Sequence, residues 1–229
     1  MTQKYTILFD LDGTLVDTAP DLMLAHNHVM KKYGYPTKTT SDIRGLAGKG
    51  AGAMIGRSIW GQAKEEFGKI NDQKIKDEMV REFIDFYGKN IIKESTLIIG
   101  VIDFLKWCKN KRISMAVCTN KQEHLAVDLL KKIGIYDYFE YVAGANTFSY
   151  CKPDPRHLTS IIEILDGDIK KSLMFGDSET DANAARAASI PVILLENGYT
   201  EKNTNEIYHN HLIKDFIGVE TIVSPYLKD

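Results

Sequence analysis

The sequence predicts an α/β protein: a Rossmann-like parallel sheet core with an inserted helical cap subdomain. Short apolar runs with strand character recur at Tyr5–Phe9, Ile113–Cys118, Tyr141–Gly144, Ser172–Phe175 and Val192–Leu195, separated by stretches with helical spacing. That alternation is the signature of a parallel sheet covered on both faces. Between residues 18 and 92 the strand signal stops and helical patterning takes over, so a helical unit interrupts the sheet domain soon after its first strand. A length of 229 residues with 44% hydrophobic content suits one core domain carrying a smaller insertion.

In chain order, Tyr5–Phe9 is the first strand and runs into Asp10. Leu22, Ala25, Val29 and Tyr33 then keep one face of a first cap helix, with Thr18 as its expected N-cap and Pro20 in its first turn. Ile75, Met79, Phe83 and Phe86 do the same for a later helix. Between them Gly45-Leu-Ala-Gly-Lys-Gly-Ala-Gly52 reads as a flexible cap loop facing the site. Links near Asp17–Ala19 and Ile92–Thr96 put the cap at 18–92 and the core at 1–17 and 93–229. Beyond the cap, Leu125, Leu129 and Ile133 mark one core-facing helix, and Leu158, Ile161, Ile162 and Leu165 another.

Composition removes several function classes. With 29 Lys+Arg against 31 Asp+Glu the formal net charge is -2, which lacks the basic footprint of a dedicated nucleic-acid binder. Apolar runs fall far short of the roughly 20 residues of a membrane helix. Three cysteines, Cys108, Cys118 and Cys151, without a framework spacing, fit a reducing compartment. A soluble cytoplasmic protein is expected, as a monomer or homodimer, with no nucleic-acid or membrane partner.

The chemistry is concentrated where strands end. In Phe9-Asp-Leu-Asp-Gly-Thr14, side chains two apart in a strand share a face, so Asp10 and Asp12 project together while Leu11 turns to the core. In open α/β sheets ligands bind beyond the carboxyl ends of strands. Paired carboxylates there let one serve as nucleophile or metal ligand while the other handles protons. Gly13 permits a tight turn that brings backbone N–H groups near an anion. A second apolar strand ends in Gly176-Asp177-Ser-Glu-Thr-Asp181, and if a helix starts there its two acids lie one turn apart, spaced to hold a hard cation. Helix capping by Asp177 or Ser178 is compatible with that role. Oxygen donors without a convergent Cys or His set favour magnesium over zinc. Thr119-Asn120-Lys121 follows a strand and precedes a helix, offering a hydroxyl, an amide and backbone donors. In Cys151-Lys-Pro-Asp-Pro155 the prolines stiffen the loop that carries Lys152, a compact charge for phosphate oxygens.

Asp10-x-Asp12-Gly-Thr14, Thr119-Asn120, Lys152-Pro153 and Gly176-Asp177-x-x-x-Asp181 resemble, in order, the four motifs of the haloacid-dehalogenase-like phosphohydrolases. The resemblance spans the sheet domain, and the insertion after the first motif is similar to that family's helical cap. It implies two-step phosphoryl transfer in which Asp10 attacks phosphorus and Asp12 first protonates the leaving oxygen, then activates water. It implies Mg²⁺ held by Asp10, the Asp12 backbone carbonyl and Asp177, with Asp181 in support, and Thr119 and Asn120 orienting the phosphoryl group. The second motif-one acid, Asp12, points to phosphate rather than halide chemistry.

Within the superfamily the chain resembles phosphoglycolate phosphatases most, on Leu11-Asp-Gly-Thr-Leu-Val-Asp-Thr18, Gly48-Lys-Gly-Ala51, Cys118-Thr-Asn-Lys121, Gly176-Asp-Ser178 and Asn197-Gly-Tyr-Thr200. A small phosphate ester is the implied substrate; pyrophosphatases of similar architecture and a non-enzymatic binding protein on the same fold are the alternatives. Leu22 stands where a β-phosphoglucomutase carries a cap histidine, which argues against a mutase. Lys49, with Arg44 nearby, is a candidate for a substrate carboxylate or else a solvated charge. The cap glycines are no Walker A loop, since Gly50 follows Lys49 where Ser or Thr is required. His209 and His211 lack further ligands and read as structural. Cys151 beside Lys152 has two readings, a lowered pKa or inert packing.

Overall fold

A computed structural model describes residues 4–61 and 70–227. Six strands form one parallel sheet in the order β5-β4-β1-β6-β7-β8, comprising β1 (Lys4–Phe9), β4 (Ser114–Cys118), β5 (Tyr141–Ala143), β6 (Gly167–Gly176), β7 (Val192–Leu195) and β8 (His211–Ile213). The two remaining strands, β2 (Val16–Asp17) and β3 (Thr96–Leu97), form a separate antiparallel pair. Succession runs from β1 outward to β4 and β5, then returns across β1 to β6, β7 and β8, so the topology switches at β1.

Strand periodicity sorts the core onto both faces. Ile7 and Phe9 point to one side and Leu8 to the other, all within 1% of full burial. Phe9 stacks on Phe175 at 5.2 Å and meets the edges of Phe104 and Phe139, beneath α5 (Val101–Asn110) and α6 (Glu123–Lys132). On the opposite face Leu8, Ala116, Leu158, Ile161, Ile162 and Ala185 form a second cluster under α7 (Arg156–Ile164) and α8 (Glu179–Ala187). The predicted stripes on α6 and α7 are the buried faces of those helices, although Ile133 and Leu165 fall just past their ends.

Within the six-stranded sheet, two strand segments escaped the sequence pattern, as the short pair β2 and β3 did outside it. The first half of β6, Gly167–Lys171, is partly solvated and pairs with β1 only at Gly167 before a shift of register, and β8 is a three-residue edge strand paired to β7; neither carries an apolar run. Hydrophobic patterning reports burial rather than pairing.

The insertion begins after β2 and ends before β3. Val16 pairs with Leu97 and Asp17 with Thr96, so the chain leaves and re-enters the sheet domain side by side. Between them lie α1 (Ala19–Lys32), α2 (Thr40–Ala47), α3 (Ala51–Trp60) and α4 (Ile70–Lys89). Leu22, Ala25 and Val29 are buried on α1 as expected. On α4 the buried face is Met79, Phe83 and Tyr87; Ile75 is exposed and Phe86 is half-buried, stacked on His28 at 4.0 Å. The expected glycine-rich loop is instead the end of α2, a tight turn at 48–50 and the start of α3, with Gly50 supplying a φ of 85° at the turn. Thr18 stands at the N-cap position of α1 but does not cap it, because its hydroxyl is turned toward Asp12. No helix among the described residues is long and apolar enough to cross a membrane.

Asp21, 1% exposed in the first turn of α1, fastens the return link: its carboxylate accepts the Glu94 and Ser95 N–H groups and the Ser95 hydroxyl at 2.6 Å. Removing it strands those donors without water. Asp21→Ala is expected to cost about 3 kcal/mol of stability in urea unfolding, and a loss below about 1 kcal/mol would show that the link tolerates solvation.

Candidate active site

Register brings the sequence motifs together. Phe9 pairs with Val117 on one side and Phe175 on the other, so the residues that follow β1, β4 and β6 emerge side by side at the carboxyl edge. These are Asp10, Thr119 and Asp177. Asp10 is locked by its own N–H donating to the Phe175 carbonyl at 2.8 Å, and its Oδ1 accepts the Leu11 N–H at 2.7 Å.

The Asp10, Asp177 and Asp181 carboxylates present oxygens within 4.8 Å of one another, all buried. Lys152, 2% exposed, reaches Asp10 at 3.0 Å and Asp181 at 2.6 Å from its stiff loop. Burial opposes the Lys152 charge, yet these two carboxylates hold its pKa above the ordinary lysine value. Burial pushes Asp10 up to about 6 despite Lys152, with Asp181 and Asp12 adding repulsion. Asp177 is driven well above the carboxylate range by burial and by Asp181 and Asp10.

Each acid has a distinct set of partners. Asp181 Oδ2 accepts the Ser178 hydroxyl at 2.6 Å and the Asp177 and Ser178 N–H groups, so the capping of α8 fixes its other oxygen toward Lys152. Asp177 lies just before α8 rather than on it. Its Oδ2 accepts the Tyr199 N–H at 2.6 Å, whereas its buried Oδ1 has no partner. Asp12 Oδ1 accepts the Thr18 hydroxyl at 2.6 Å and Oδ2 the Lys121 ammonium at 2.8 Å. Gly13 turns with a φ of 80° against Asp177, where any Cβ would overlap the Asp177 carboxylate.

A cavity of about 220 Å³ opens between this cluster and the inserted helices. Asp10, Asp12, Thr119 and Asn120 line its floor; Gly48, Gly50, Ala51, Phe83 and Tyr87 line the opposite wall, and Leu22 adds an apolar contact. Asn120 donates to the Lys152 carbonyl at 3.0 Å, leaving its buried Oδ1 unpartnered, and Thr119 is buried beside it.

The structure does not bring Lys49 to this cavity. It is exposed and lies in a separate cleft with Glu179 and Thr200, because the turn at 48–50 directs its side chain away from the floor. Arg44 is engaged too, pairing with Asp17 at 2.6 Å over the Tyr199 ring. His209 bonds the Ile207 carbonyl and His211 the Tyr226 hydroxyl. Cys151 is raised by burial rather than lowered by Lys152, so its thiol is not activated.

Several side chains at the site escaped sequence reasoning. The position of Lys121 after Thr119-Asn120 points only to backbone donors, whereas its ammonium bonds Asp12. Tyr199 donates its hydroxyl to Asp17 at 2.7 Å while its N–H holds Asp177, a double role that Asn197-Gly-Tyr-Thr200 does not announce. His157 accepts the Lys152 N–H at Nδ1 over 3.2 Å and so orients the lysine loop.

A parallel sheet whose switch point gathers carboxylates and a buried lysine beneath an inserted helical layer defines an α/β enzyme that works at the strand ends. Comparison with known proteins makes the class specific. The chain belongs to the haloacid dehalogenase-like hydrolase family, whose model matches residues 7–195. It is 37% identical to a phosphoglycolate phosphatase of Mesorhizobium japonicum over 92% of this chain and 90% of that one. It is 40% identical to a phosphoglycolate phosphatase of Agrobacterium fabrum over 91% and 88%. Among solved structures, a predicted phosphoglycolate phosphatase from Haemophilus somnus superposes with a TM-score of 0.87 at 29% identity, covering 97% of this chain and 99% of that one.

His157 yields a pH prediction. Burial, and next the Lys152 charge, pull its pKa down to about 4 from 6.5. Between those values the unfolded chain binds the proton and the folded chain does not, so stability is full above the upper value and is lost as pH falls through the window. Urea unfolding from pH 7 to pH 4 should show the wild type losing about 3 kcal/mol more than His157→Gln. Asp10 and Asp177 titrate in both proteins and cancel in the difference. Equal losses would show that His157 is not held neutral by the fold.

Proposed function

We propose that this phosphoric monoester hydrolase is a Mg²⁺-dependent phosphatase that converts 2-phosphoglycolate to glycolate and phosphate. Residues 1–17 and 93–229 form its core and 18–92 the cap that closes over the substrate. The carrying observation is that Asp10 and Asp12 share one cavity while Asp177 and Asp181 stand directly behind Asp10. The names of the relatives support the ester; the family supports the reaction class.

The acid cluster fits a hard divalent cation on its own terms: donors are oxygens only, the charge is under-compensated, and the buried Asp177 Oδ1 has no protein partner. Asp10, Asp177 and the Asp12 backbone carbonyl would hold it, with Asp181 in support. Bound there, magnesium offsets the repulsion between a carboxylate nucleophile and a phosphate dianion.

Asp10 supplies the nucleophile. Its carboxylate forms the new P–O bond as the ester P–O bond breaks, giving an aspartyl-phosphate, and Asp12 delivers a proton to the departing glycolate oxygen. Asp12 then takes a proton from water as that water attacks phosphorus and frees Asp10. The Lys152 ammonium, fixed by Asp181, neutralises charge on the transferring oxygens, while Thr119, the second N–H of the Asn120 Nδ2 and the Gly13 turn orient the phosphoryl group. Thr18 and Lys121 fix the Asp12 carboxylate for both proton transfers.

Asp10→Asn should retain the wild-type melting profile and lose at least about a thousandfold in turnover, because an amide neither attacks phosphorus nor binds a hard cation well. Chelation should abolish phosphate release and magnesium restore it. A panel of 2-phosphoglycolate, pyrophosphate and sugar phosphates reads the substrate: the highest kcat/KM is expected on 2-phosphoglycolate. Pyrophosphate as the best substrate would overturn that assignment while leaving the mechanism intact.

A further inference from the structure

Hydrolysis of a phosphoester that carries a carboxylate raises a problem of charge that the motif residues do not solve. Lys152 is committed to Asp10, Asp181 and the phosphoryl oxygens. A second anion entering beside Asp10 and Asp12 meets like charge unless a separate cation faces it. Among the described residues of the inserted helices, none supplies that cation to the cavity. Lys49 faces the separate cleft, Arg44 pairs with Asp17, and Arg57 pairs with Glu201.

Among the described residues that line the cavity, Lys121 is the one cation. Its side chain is almost wholly buried, and its ammonium sits 2.8 Å from Asp12 Oδ2 and 4.4 Å from the centre of the Tyr87 ring. An ammonium has three N–H donors. One serves Asp12 and the ring face takes a second, which leaves a third for a ligand. Across from it the first turn of α3 lines the same cavity at Gly50, Ala51 and Gly52, with no side chain capping its N–H groups. Gly50 packs so near the Asn120 carbonyl that an added Cβ would lie 3.0 Å from it, which puts this helix start next to Lys121.

We propose that Lys121, with the uncapped start of α3, binds the carboxylate of the substrate and is the residue that selects a carboxylate-bearing phosphoester. The inference rests on the function proposed above and replaces Lys49 in that role. The reach follows from chemistry. Asp12 hands its proton to the bridging oxygen, and in 2-phosphoglycolate a single methylene separates that oxygen from the carboxylate. A cation already bonded to Asp12 is therefore within one side-chain rotation of the carboxylate, whereas a cap-surface lysine is not.

The test compares 2-phosphoglycolate with 2-hydroxyethyl phosphate, a neutral-ended ester of nearly the same size. Wild type, Lys121→Met and Lys121→Gln are measured on both, with thermal melts as the check on folding. Lys121→Gln keeps a hydrogen-bond donor for Asp12 and so guards against collapse of the site. Slowing common to both esters reports the contact with Asp12 and is divided out. The expected result is a wild-type preference for 2-phosphoglycolate that falls about 50-fold in both variants, mainly as a raised KM. A folded variant that keeps the wild-type ratio overturns the proposal, as does a wild type that cleaves both esters equally well. If the wild type cleaves 2-hydroxyethyl phosphate and not 2-phosphoglycolate, the substrate reading itself fails, an outcome distinct from an unchanged ratio.

Discussion

Four carboxylates and two ammonium groups meet at the carboxyl edge of the sheet, and that imbalance organises the molecule around it. Asp10, Asp177 and Asp181 share Lys152, while Asp12 has Lys121. Buried like charges at this spacing are costly, and the upward push on Asp10 and Asp177 expresses the cost. The cluster persists because the surrounding backbone leaves its members no retreat: β1 is hydrogen-bonded to β6 at Asp10, α8 is capped through Asp181, and the loop after β7 grips Asp177. A fold that holds acids together against their repulsion has stored a binding site for positive charge.

The same contacts connect the chemistry to the inserted helices. Tyr199 touches Asp177 with its N–H and, with its hydroxyl, both donates to Asp17 and accepts the Ala19 N–H at the start of α1. Thr18, one residue from that crossing, donates to Asp12. The chain therefore enters the insertion through residues bonded to Asp12 directly and to Asp177 through Tyr199. Thr180 adds a direct bond from α8 to the Gly48 carbonyl in the turn between α2 and α3. Movement of the insertion would be felt at Asp12 and Asp177 without any long-range relay.

Much of this was legible in the sequence because strands that end in an acid at a parallel sheet's edge announce both their register and their use. Asp10, Asp177 and Thr119 needed only an apolar run and the rule that ligands bind beyond it. The helices between β2 and β3 were legible for a similar reason, since apolar residues there recur at helical spacing and not in strand-like runs. What stayed hidden depends on contacts distant in sequence. Lys121 is informative only once its partner, 109 residues away, is known. Thr18 has the composition of a cap but bonds Asp12 instead, and the glycines near Lys49 suggested an open loop where two helices and a tight turn exist. Lys49 itself shows the limit: a charge beside glycines carries no information about which cavity it faces.

The most direct test of the account is calorimetric titration of magnesium into the purified protein at pH 6, in two buffers of different ionisation enthalpy, for the wild type and Asp177→Asn. If the under-compensated acid cluster is the cation site, the wild type binds magnesium saturably and releases protons from its raised carboxyl groups, so that the heat depends on the buffer. The variant should bind far more weakly. Absence of saturable binding in the wild type, or binding unchanged by Asp177→Asn, would contradict the account.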